Sequence, residues 1–213
     1  MAKILILGAN GKIARLAETE LLQETSHQLL LFLRNANRLQ VSDARREKII
    51  EGDVTNTNLL EKALAGVDIV YANLAGKNIA QQAKSVVTAM NLVGIKRLIW
   101  IATLGIYDEV PGKFGQWNHH MLDGGYLETY AAAAKVIENS DLDYTIVRPA
   151  WLSNKDIVSY ETTEKGEPFK GTEVSRKSVA NFVVQLINEP EKASRHSVGV
   201  NEPNTDGSKP SFY

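Results

Sequence analysis

The stretch KILILGANGKIA, from Lys3 to Ala14, decides the fold. Its first five residues include four aliphatic side chains without alternation, a pattern typical of a strand buried on both faces of a parallel sheet. Gly8 and Gly11 follow at the spacing G-x-x-G, and a helical pattern of apolar residues begins at Lys12. A strand, a glycine turn and a helix in this order predict a dinucleotide site, in which the helix N-terminus faces a pyrophosphate. A strand-turn-helix unit with incidental glycines is the alternative.

The composition limits the classes of function. The chain has 213 residues, a net charge of −1 and no cysteine. A nearly neutral chain gives no reason to expect nucleic acid as a partner, and the lack of cysteine excludes disulfides and zinc-thiolate sites. No apolar run approaches the ~20 residues that span a bilayer, and no signal peptide precedes the first strand. We therefore expect a single cytoplasmic domain over residues 1–213 that has neither a membrane partner nor a metal site.

Further apolar runs follow the first strand, most of them separated by helical patterns. They lie at residues 27–33, 48–54, 67–76, 96–103 and 143–148. This alternation predicts an α/β fold, a Rossmann-type doubly wound parallel sheet with strand order 3-2-1-4-5-6. Residues 196–200 are a candidate seventh edge strand. Residues 150–175 and 201–213 are expected to form irregular appendages on the substrate side.

The residue that follows the second strand bears on the choice of cofactor. In dinucleotide folds an acidic residue near this position binds the ribose hydroxyls of NAD. No Asp or Glu occurs between His27 and Ser42, and Arg34 stands there instead, with Arg38 four residues on. Because a guanidinium can hold a 2′-phosphate by paired charge-assisted hydrogen bonds, the sequence favours NADP(H) over NAD(H). A solvated basic loop is the alternative.

Two other segments have more than one interpretation. Asp53, at the end of the third strand, either accepts a hydrogen bond from an adenine amino group or caps the next helix, for which Thr55, Asn56 and Thr57 are better candidates. The segment from Leu104 to Gly125 is predicted to be a lid without secondary structure. It is rich in aromatic and imidazole side chains, namely Phe114, Trp117, His119 and His120. A proton-donating role and a packing role both remain open for the two histidines.

Several short motifs of this chain occur together in one group of proteins. They are the glycine turn, Arg34, Gly52–Val54, Asn73–Gly76, Thr103 four residues before Tyr107, and above all the run LDYTIVRPAW at Leu142–Trp151. By these motifs the chain resembles the atypical short-chain dehydrogenase/reductase superfamily, near its NmrA-like and NAD(P)H-binding single-domain members.

The resemblance implies a set of cofactor-binding residues. Gly8, Asn10, Gly11, Lys12 and Ile13 would hold the pyrophosphate, Arg34 the 2′-phosphate, Asp53 and Val54 the adenine, Asn73, Leu74, Ala75 and Gly76 the inner ribose, and Thr103 and Pro149 the nicotinamide.

The catalytic couple of that superfamily is incomplete in this chain. Active members carry Tyr-x-x-x-Lys on the helix after the fifth strand, and the resemblance places the tyrosine at Tyr126 and the lysine at position 130, which is Tyr130. Lys135 follows Tyr130 at a spacing of five, which turns it ~140° around a helix. A tyrosine with its ordinary pKa near ~10 is a poor general acid. Thr103 and Tyr126 are therefore candidate catalytic residues without the expected lysine.

Two functions from different classes fit these residues. The first is an NADP(H)-dependent reductase that passes hydride to a small planar acceptor such as a flavin or quinone, against which Phe114, Trp117 and Trp151 could stack. The second is a non-catalytic, NADP(H)-sensing regulatory protein of NmrA-like type that binds a protein partner through the lid or tail. The missing lysine favours the second. Epimerase or dehydratase activity is least favoured, because those reactions depend on the absent couple.

Overall fold

An eight-stranded sheet forms the centre of the protein, whose computed structural model describes residues 1–213. The strands are β1 (Lys3–Leu7), β2 (Gln28–Leu33), β3 (Glu47–Glu51), β4 (Ile69–Ala72), β5 (Arg97–Ile101), β6 (Asp143–Pro149), β7 (Trp151–Ser153), β8 (Glu161–Glu164), β9 (Glu173–Ser175) and β10 (His196–Asn201). The helices are α1 (Lys12–Glu24), α2 (Thr57–Ala63), α3 (Ile79–Val93), α4 (Gly112–Leu122), α5 (Tyr126–Glu138) and α6 (Arg176–Asn188).

The strand order of the large sheet is β3-β2-β1-β4-β5-β6-β10-β8. The predicted order 3-2-1-4-5-6 is confirmed, and these strands are parallel to their neighbours. The edge position predicted for residues 196–200 is wrong, since β10 lies between β6 and β8. The reason is that β8, from the segment predicted to be irregular, pairs antiparallel with the free side of β10. β7 and β9 form a separate parallel pair.

Helices cover both faces of the sheet. α1 and α6 pack together on one face, and α2, α3 and α5 pack on the other. Successive residues of β1 point to opposite faces, so that Ile4 and Ile6 join the core under α1 and α6 while Leu5 and Leu7 join the other core. Each fully buried aliphatic side chain of this size stabilises the fold by about 1.5–3 kcal/mol. This two-sided burial explains why the first strand is apolar without alternation.

The order of the strands positions a crevice at their carboxyl ends. From β1 the chain proceeds outward to β2 and β3, then crosses to the other side of β1 to form β4. In doubly wound sheets the loops that follow such a pair of strands diverge and leave a crevice, which is where ligands bind. Here those loops are Gly8–Gly11 after β1 and Asn73–Gly76 after β4.

The segment 104–125 contains a helix, so the prediction of a lid without secondary structure is wrong. α4 buries Phe114 and Asn118, four residues apart on one side. The sequence did not predict this helix, because Gly112 and Gly115 are residues typical of loops. Gly115 is in fact demanded by packing, since a Cβ atom there would overlap the carbonyl oxygen of Val110.

A buried ion pair holds the beginning of this segment. Arg148 on β6 is fully buried and pairs with Glu109, while its Nε donates to the Ser197 hydroxyl at 3.1 Å. The Glu109 carboxylate also accepts the backbone N–H groups of Gly105 and Tyr107, at 3.1 and 3.0 Å. Removing one partner of such a buried pair costs about 3–5 kcal/mol. Arg148, a residue of the family motifs, therefore fixes the loop after β5 through Glu109.

No helix of the protein combines the length and the apolar character that a membrane crossing demands.

Candidate cofactor and substrate site

Two adjoining cavities occupy the crevice at the carboxyl ends of the strands. The polar cavity, of about 310 Å³, extends from the glycine turn to Arg34 and Asp53. The apolar cavity, of about 480 Å³, extends from Ile13 and Thr103 to Tyr213. Gly11, Asn73, Leu74 and Ala75 line both, so the two cavities form one continuous groove.

The groove brings together most residues that the sequence predicts for the cofactor. The polar cavity is lined by Gly8, Asn10, Gly11, Arg34, Asp53, Val54, Asn73, Leu74 and Ala75. The apolar cavity is lined by Gly11, Ile13, Asn73, Leu74, Ala75, Thr103 and Pro149, and also by Tyr126. Lys12 lines a third cavity beside the glycine turn. Gly76 lines none of the three, and its carbonyl accepts the N–H of Ile79 where the chain enters α3.

The two glycines of the turn are required by the loop that faces them. Gly8 has a φ of +75°, and a Cβ atom there would overlap the carbonyl oxygen of Asn73. A Cβ atom on Gly11 would overlap the side-chain amide of the same asparagine. No side chain caps α1 and none in its first turn is acidic, so its N-terminal N–H groups are open to an anion. This geometry fits a pyrophosphate.

The far end of the polar cavity carries two arginines. Arg34 and Arg38 are exposed, line the cavity, and form no ion pair with a carboxylate. Asp53 lies nearby, where the backbone N–H and then the hydroxyl of Thr55 lower the pKa of its carboxyl, with a smaller contribution from the charge of Arg34. Asn56 caps α2 by accepting the N–H of Leu59 at 3.2 Å, so the capping role considered for Asp53 is filled by another residue.

The apolar cavity has aromatic walls. Trp151 lines it together with Tyr126, Tyr130, Phe212 and Tyr213. Trp117 packs outside the lining, with its ring 4.8 Å from that of Trp151 and 5.2 Å from that of Tyr213. Phe114 lies in the core. Of the three aromatic residues predicted to stack on an acceptor, Trp151 therefore lines the cavity, Trp117 supports it, and Phe114 does neither.

Thr103 and Tyr126, the candidate catalytic residues, line the apolar cavity. Position 130, where the resemblance predicts a lysine, holds a tyrosine. Tyr126 and Tyr130 pack together with tilted rings whose centroids lie 4.6 Å apart. Burial, and then the neighbouring Tyr126, raise the pKa of Tyr130 above its ordinary value. Lys135 is exposed to solvent and does not line the groove, as its spacing predicts. The side chains of the lining include no carboxylate and no histidine, and the one charged side chain is that of Arg176.

The two histidines of α4 lie outside the groove. The His119 ring bonds to the carboxylates of Asp123 and Asp108, at 2.9 and 3.0 Å, and these bonds raise the pKa of His119. His120 is exposed. Neither lines the three cavities described above, so neither is placed to give a proton to a ligand in the groove. No group of three or more side chains is arranged to hold a metal ion.

Sequence reasoning missed Arg176, Phe212 and Tyr213 as lining residues. The tail that carries the last two is tied down by Ser211, whose hydroxyl donates to Glu173 at 2.9 Å. Tyr213 then contacts Trp151 edge-on at 5.0 Å. No local sequence pattern predicts these contacts, because they join residues about 40 to 60 positions apart. The segment 201–213 is irregular, as predicted, apart from Asn201, which ends β10.

The sheet order and the glycine turn at its crevice define a Rossmann-fold dinucleotide-binding protein. The sequence model of the NAD(P)H-binding family matches residues 8–190, and the chain belongs to that family.

Three known proteins illustrate the relationship. A Rossmann-fold NAD(P)-binding family protein from Shigella flexneri is 42% identical, with 100% of both chains covered and a TM-score of 0.86. A short-chain dehydrogenase/reductase from Veillonella parvula, solved in complex with NADP, is 30% identical, with 99% of both chains covered and a TM-score of 0.92. A protein from Bacillus subtilis described as an uncharacterized sugar epimerase is 22% identical, with 91% of both chains covered.

Proposed function

We propose that this protein is an NADPH-dependent reductase that passes hydride to a planar acceptor such as a flavin or quinone. The observation that carries the proposal is the continuity of the two cavities. A polar cavity suited to the phosphates of a dinucleotide opens into an apolar cavity with aromatic walls. A reductase of this kind mainly needs its cofactor placed against its acceptor.

The preference for NADPH is supported by Arg34 and Arg38. Both line the polar cavity, and neither is neutralised by a carboxylate partner. A 2′-phosphate would receive charge-assisted hydrogen bonds from a guanidinium there, whereas the hydroxyl of NADH would not. The related Veillonella parvula protein was solved in complex with NADP, which agrees with this reading.

The direct transfer of hydride is supported by the absence of the tyrosine-lysine couple from the apolar cavity. This cavity contains no lysine beside Tyr126, and Tyr130 at the expected lysine position is buried with a raised pKa. Reduction of a flavin or quinone does not need a tuned general acid, because the acceptor takes a hydride with its two electrons and then a proton from water. Bound NADPH supplies that hydride. The chain would bind the cofactor and the acceptor, orient them with Thr103 and Pro149, and pack against the acceptor with Trp151 and Tyr213.

Oxidation of NADPH, followed at its absorbance band, tests the proposal against riboflavin, FMN and menadione. We expect turnover with at least one acceptor and slower turnover with NADH. If NADPH binds but none of these acceptors is reduced, the reductase proposal is wrong.

The second candidate is a non-catalytic NADP(H)-sensing protein that acts through a protein partner. The replacement of the expected lysine by Tyr130 favours it, since a protein without chemistry has no need of the couple. This candidate predicts NADPH binding without consumption in the same assay. Epimerase activity is supported less, although one relative is described in those terms, because the site lacks the tyrosine-lysine couple on which such reactions depend.

A further inference from the structure

A third cavity, of about 410 Å³, lies beside the glycine turn. We call it the basic cavity, because five of its nine lining residues are lysine or arginine and one is acidic. The basic residues are Lys12, Arg15, Lys155, Arg176 and Lys177, and the acidic one is Asp156. Positive charge is therefore concentrated in a cavity that adjoins the groove.

Three of the five cations already have carboxylate partners. Arg15 pairs with Glu18, Lys155 with Glu173 at 2.7 Å, and Lys177 with Asp156 at 2.7 Å. Lys12 and Arg176 form no ion pair. Lys12 belongs to the turn expected to hold the cofactor, so Arg176 is the cation that the proposed function leaves without a role.

The guanidinium of Arg176 is held in place by neutral groups. Its Nη1 donates to the carbonyl oxygens of Leu152 and Ser153, at 3.1 and 3.2 Å, and to Oδ1 of Asn154 at 2.8 Å. Burial lowers the pKa of Arg176, and no carboxylate counteracts that shift. The rest of the guanidinium, Nε and Nη2, is free to donate to a ligand. Three hydrogen bonds therefore orient a charge that no protein anion balances.

The position of Arg176 connects two cavities. It lines both the basic cavity and the apolar cavity, where it is the one charged side chain. A partly buried guanidinium is stabilised by an anion that replaces its lost hydration. A ligand whose ring occupies the apolar cavity would meet this charge at the boundary between the two.

We propose that Arg176 binds an acidic group, a carboxylate or a phosphate, carried by the acceptor. The proposal rests on the reductase function and narrows its substrate class to planar acceptors with an anionic substituent. The pyrophosphate of the cofactor is the other source of the same chemistry, since Asn10 and Lys12 line the basic cavity too. The contact of Arg176 with the apolar cavity favours the acceptor.

FMN and riboflavin form a matched pair of probes, since they share one ring system and differ by a phosphate. Their affinities for the NADP⁺-loaded protein are compared by flavin fluorescence. We expect FMN to bind at least about 10-fold more tightly, the range for a hydrogen bond to a charged group. High salt should reduce this difference, because it screens exposed charges.

Two variants of Arg176 and one control assign the effect to this side chain. Arg176→Gln should remove most of the preference for FMN and leave riboflavin binding unchanged, whereas Arg176→Lys should keep part of the preference. Lys177→Gln changes the net charge by the same amount in the same cavity, but Lys177 already has Asp156 as partner. It should therefore keep the preference. Circular dichroism and thermal unfolding verify that each variant is folded.

Other outcomes overturn the inference. Equal binding of FMN and riboflavin by the wild-type protein would do so without any variant. A loss of NADPH affinity in Arg176→Gln, with the FMN preference intact, would assign the residue to the cofactor phosphates instead. These binding results are independent of turnover, so a failure of the reductase proposal, seen as NADPH binding without oxidation, is distinguishable from a failure of this one.

Discussion

The polar and apolar cavities meet at four residues, yet they are built in different ways. The polar cavity is formed by the end of β2 and by the turns that directly follow β1, β2, β3 and β4, together with Gln82 in the first turn of α3. The apolar cavity combines residues from the glycine turn, β5, α5, β7, the start of α6 and the tail. The first is encoded by short local motifs and the second by contacts between distant segments. Mutations in the polar cavity should therefore change cofactor binding, and mutations in the apolar cavity should change acceptor binding.

The glycine turn should give the largest effect, which falls on cofactor binding. Gly11→Val is expected to abolish NADPH binding, because its side chain would occupy the place of the pyrophosphate. Equilibrium titration of NADPH fluorescence measures the loss, and thermal unfolding verifies the fold.

A double variant separates phosphate binding from packing, since a side chain on Gly11 also overlaps Asn73. Gly11→Val combined with Asn73→Ala should still fail to bind NADPH, whereas Asn73→Ala alone should bind it measurably, though more weakly than the wild-type protein because Asn73 also lines the groove. If the double variant binds as well as Asn73→Ala does, the clash with Asn73 was the whole effect.

Arg34 should affect the choice of cofactor rather than binding as such. Arg34→Ala is expected to remove about 1.5–3 kcal/mol of the preference for NADPH over NADH, or about 10- to 150-fold in the ratio of dissociation constants. Arg45→Ala is the control, because Arg45 is exposed, contacts Asp43 and lies outside the polar cavity. Equal titration curves for NADPH and NADH in the wild-type protein would contradict the assignment of Arg34.

Tyr213 tests the apolar region with little risk to the fold, since it is exposed and packs edge-on against Trp117 and Trp151. Tyr213→Ala is expected to raise the KM for the acceptor about 2- to 10-fold, the value of an aromatic pair. The dissociation constant of NADPH should stay unchanged. If Tyr213→Ala changed the KM for the acceptor and the dissociation constant of NADPH by the same factor, the polar and apolar cavities would not act separately.

Tyr126 should give the smallest effect. Because no lysine lies beside its phenol, Tyr126→Phe is expected to reduce kcat by a few-fold, well below the ~100-fold that removal of a general acid causes. Thr103→Val should have a similarly modest effect, since Thr103 would orient the acceptor without donating a proton. A loss of ~100-fold or more in Tyr126→Phe, with NADPH binding intact, would mean that another group tunes the phenol.

The same contrast explains what the sequence could predict. The strand order could be predicted from the alternation of apolar runs and helical patterns. The glycine turn could be predicted because it is a short motif whose residues are close together in the sequence. The prediction that β10 lies at the edge of the sheet was wrong because of β8. This strand lies in a polar segment, and it pairs with a strand more than 30 residues away in the sequence. α4 was missed because Gly115 is there for close packing against Val110.

The apolar cavity could be predicted only in part. Thr103, Tyr126, Pro149 and Trp151 stand near strand ends or on a regular helix, where counting along a motif finds them. Arg176 and Tyr213 reach the cavity through the packing of β7 with β9 and through the bonds between Ser211 and Glu173. Such contacts depend on the folded chain as a whole, and no spacing in the sequence encodes them.

The wall shared by the two cavities has a kinetic consequence. A dinucleotide in the polar cavity would cover Gly11, Asn73, Leu74 and Ala75 and would itself become part of the surface on which the acceptor rests. We therefore expect a compulsory order, with the cofactor entering before the acceptor and leaving after the reduced product. Since the oxidised and reduced cofactors would compete for one place, the rate at cofactor concentrations well above both dissociation constants would follow the ratio of NADPH to NADP⁺ rather than the concentration of either.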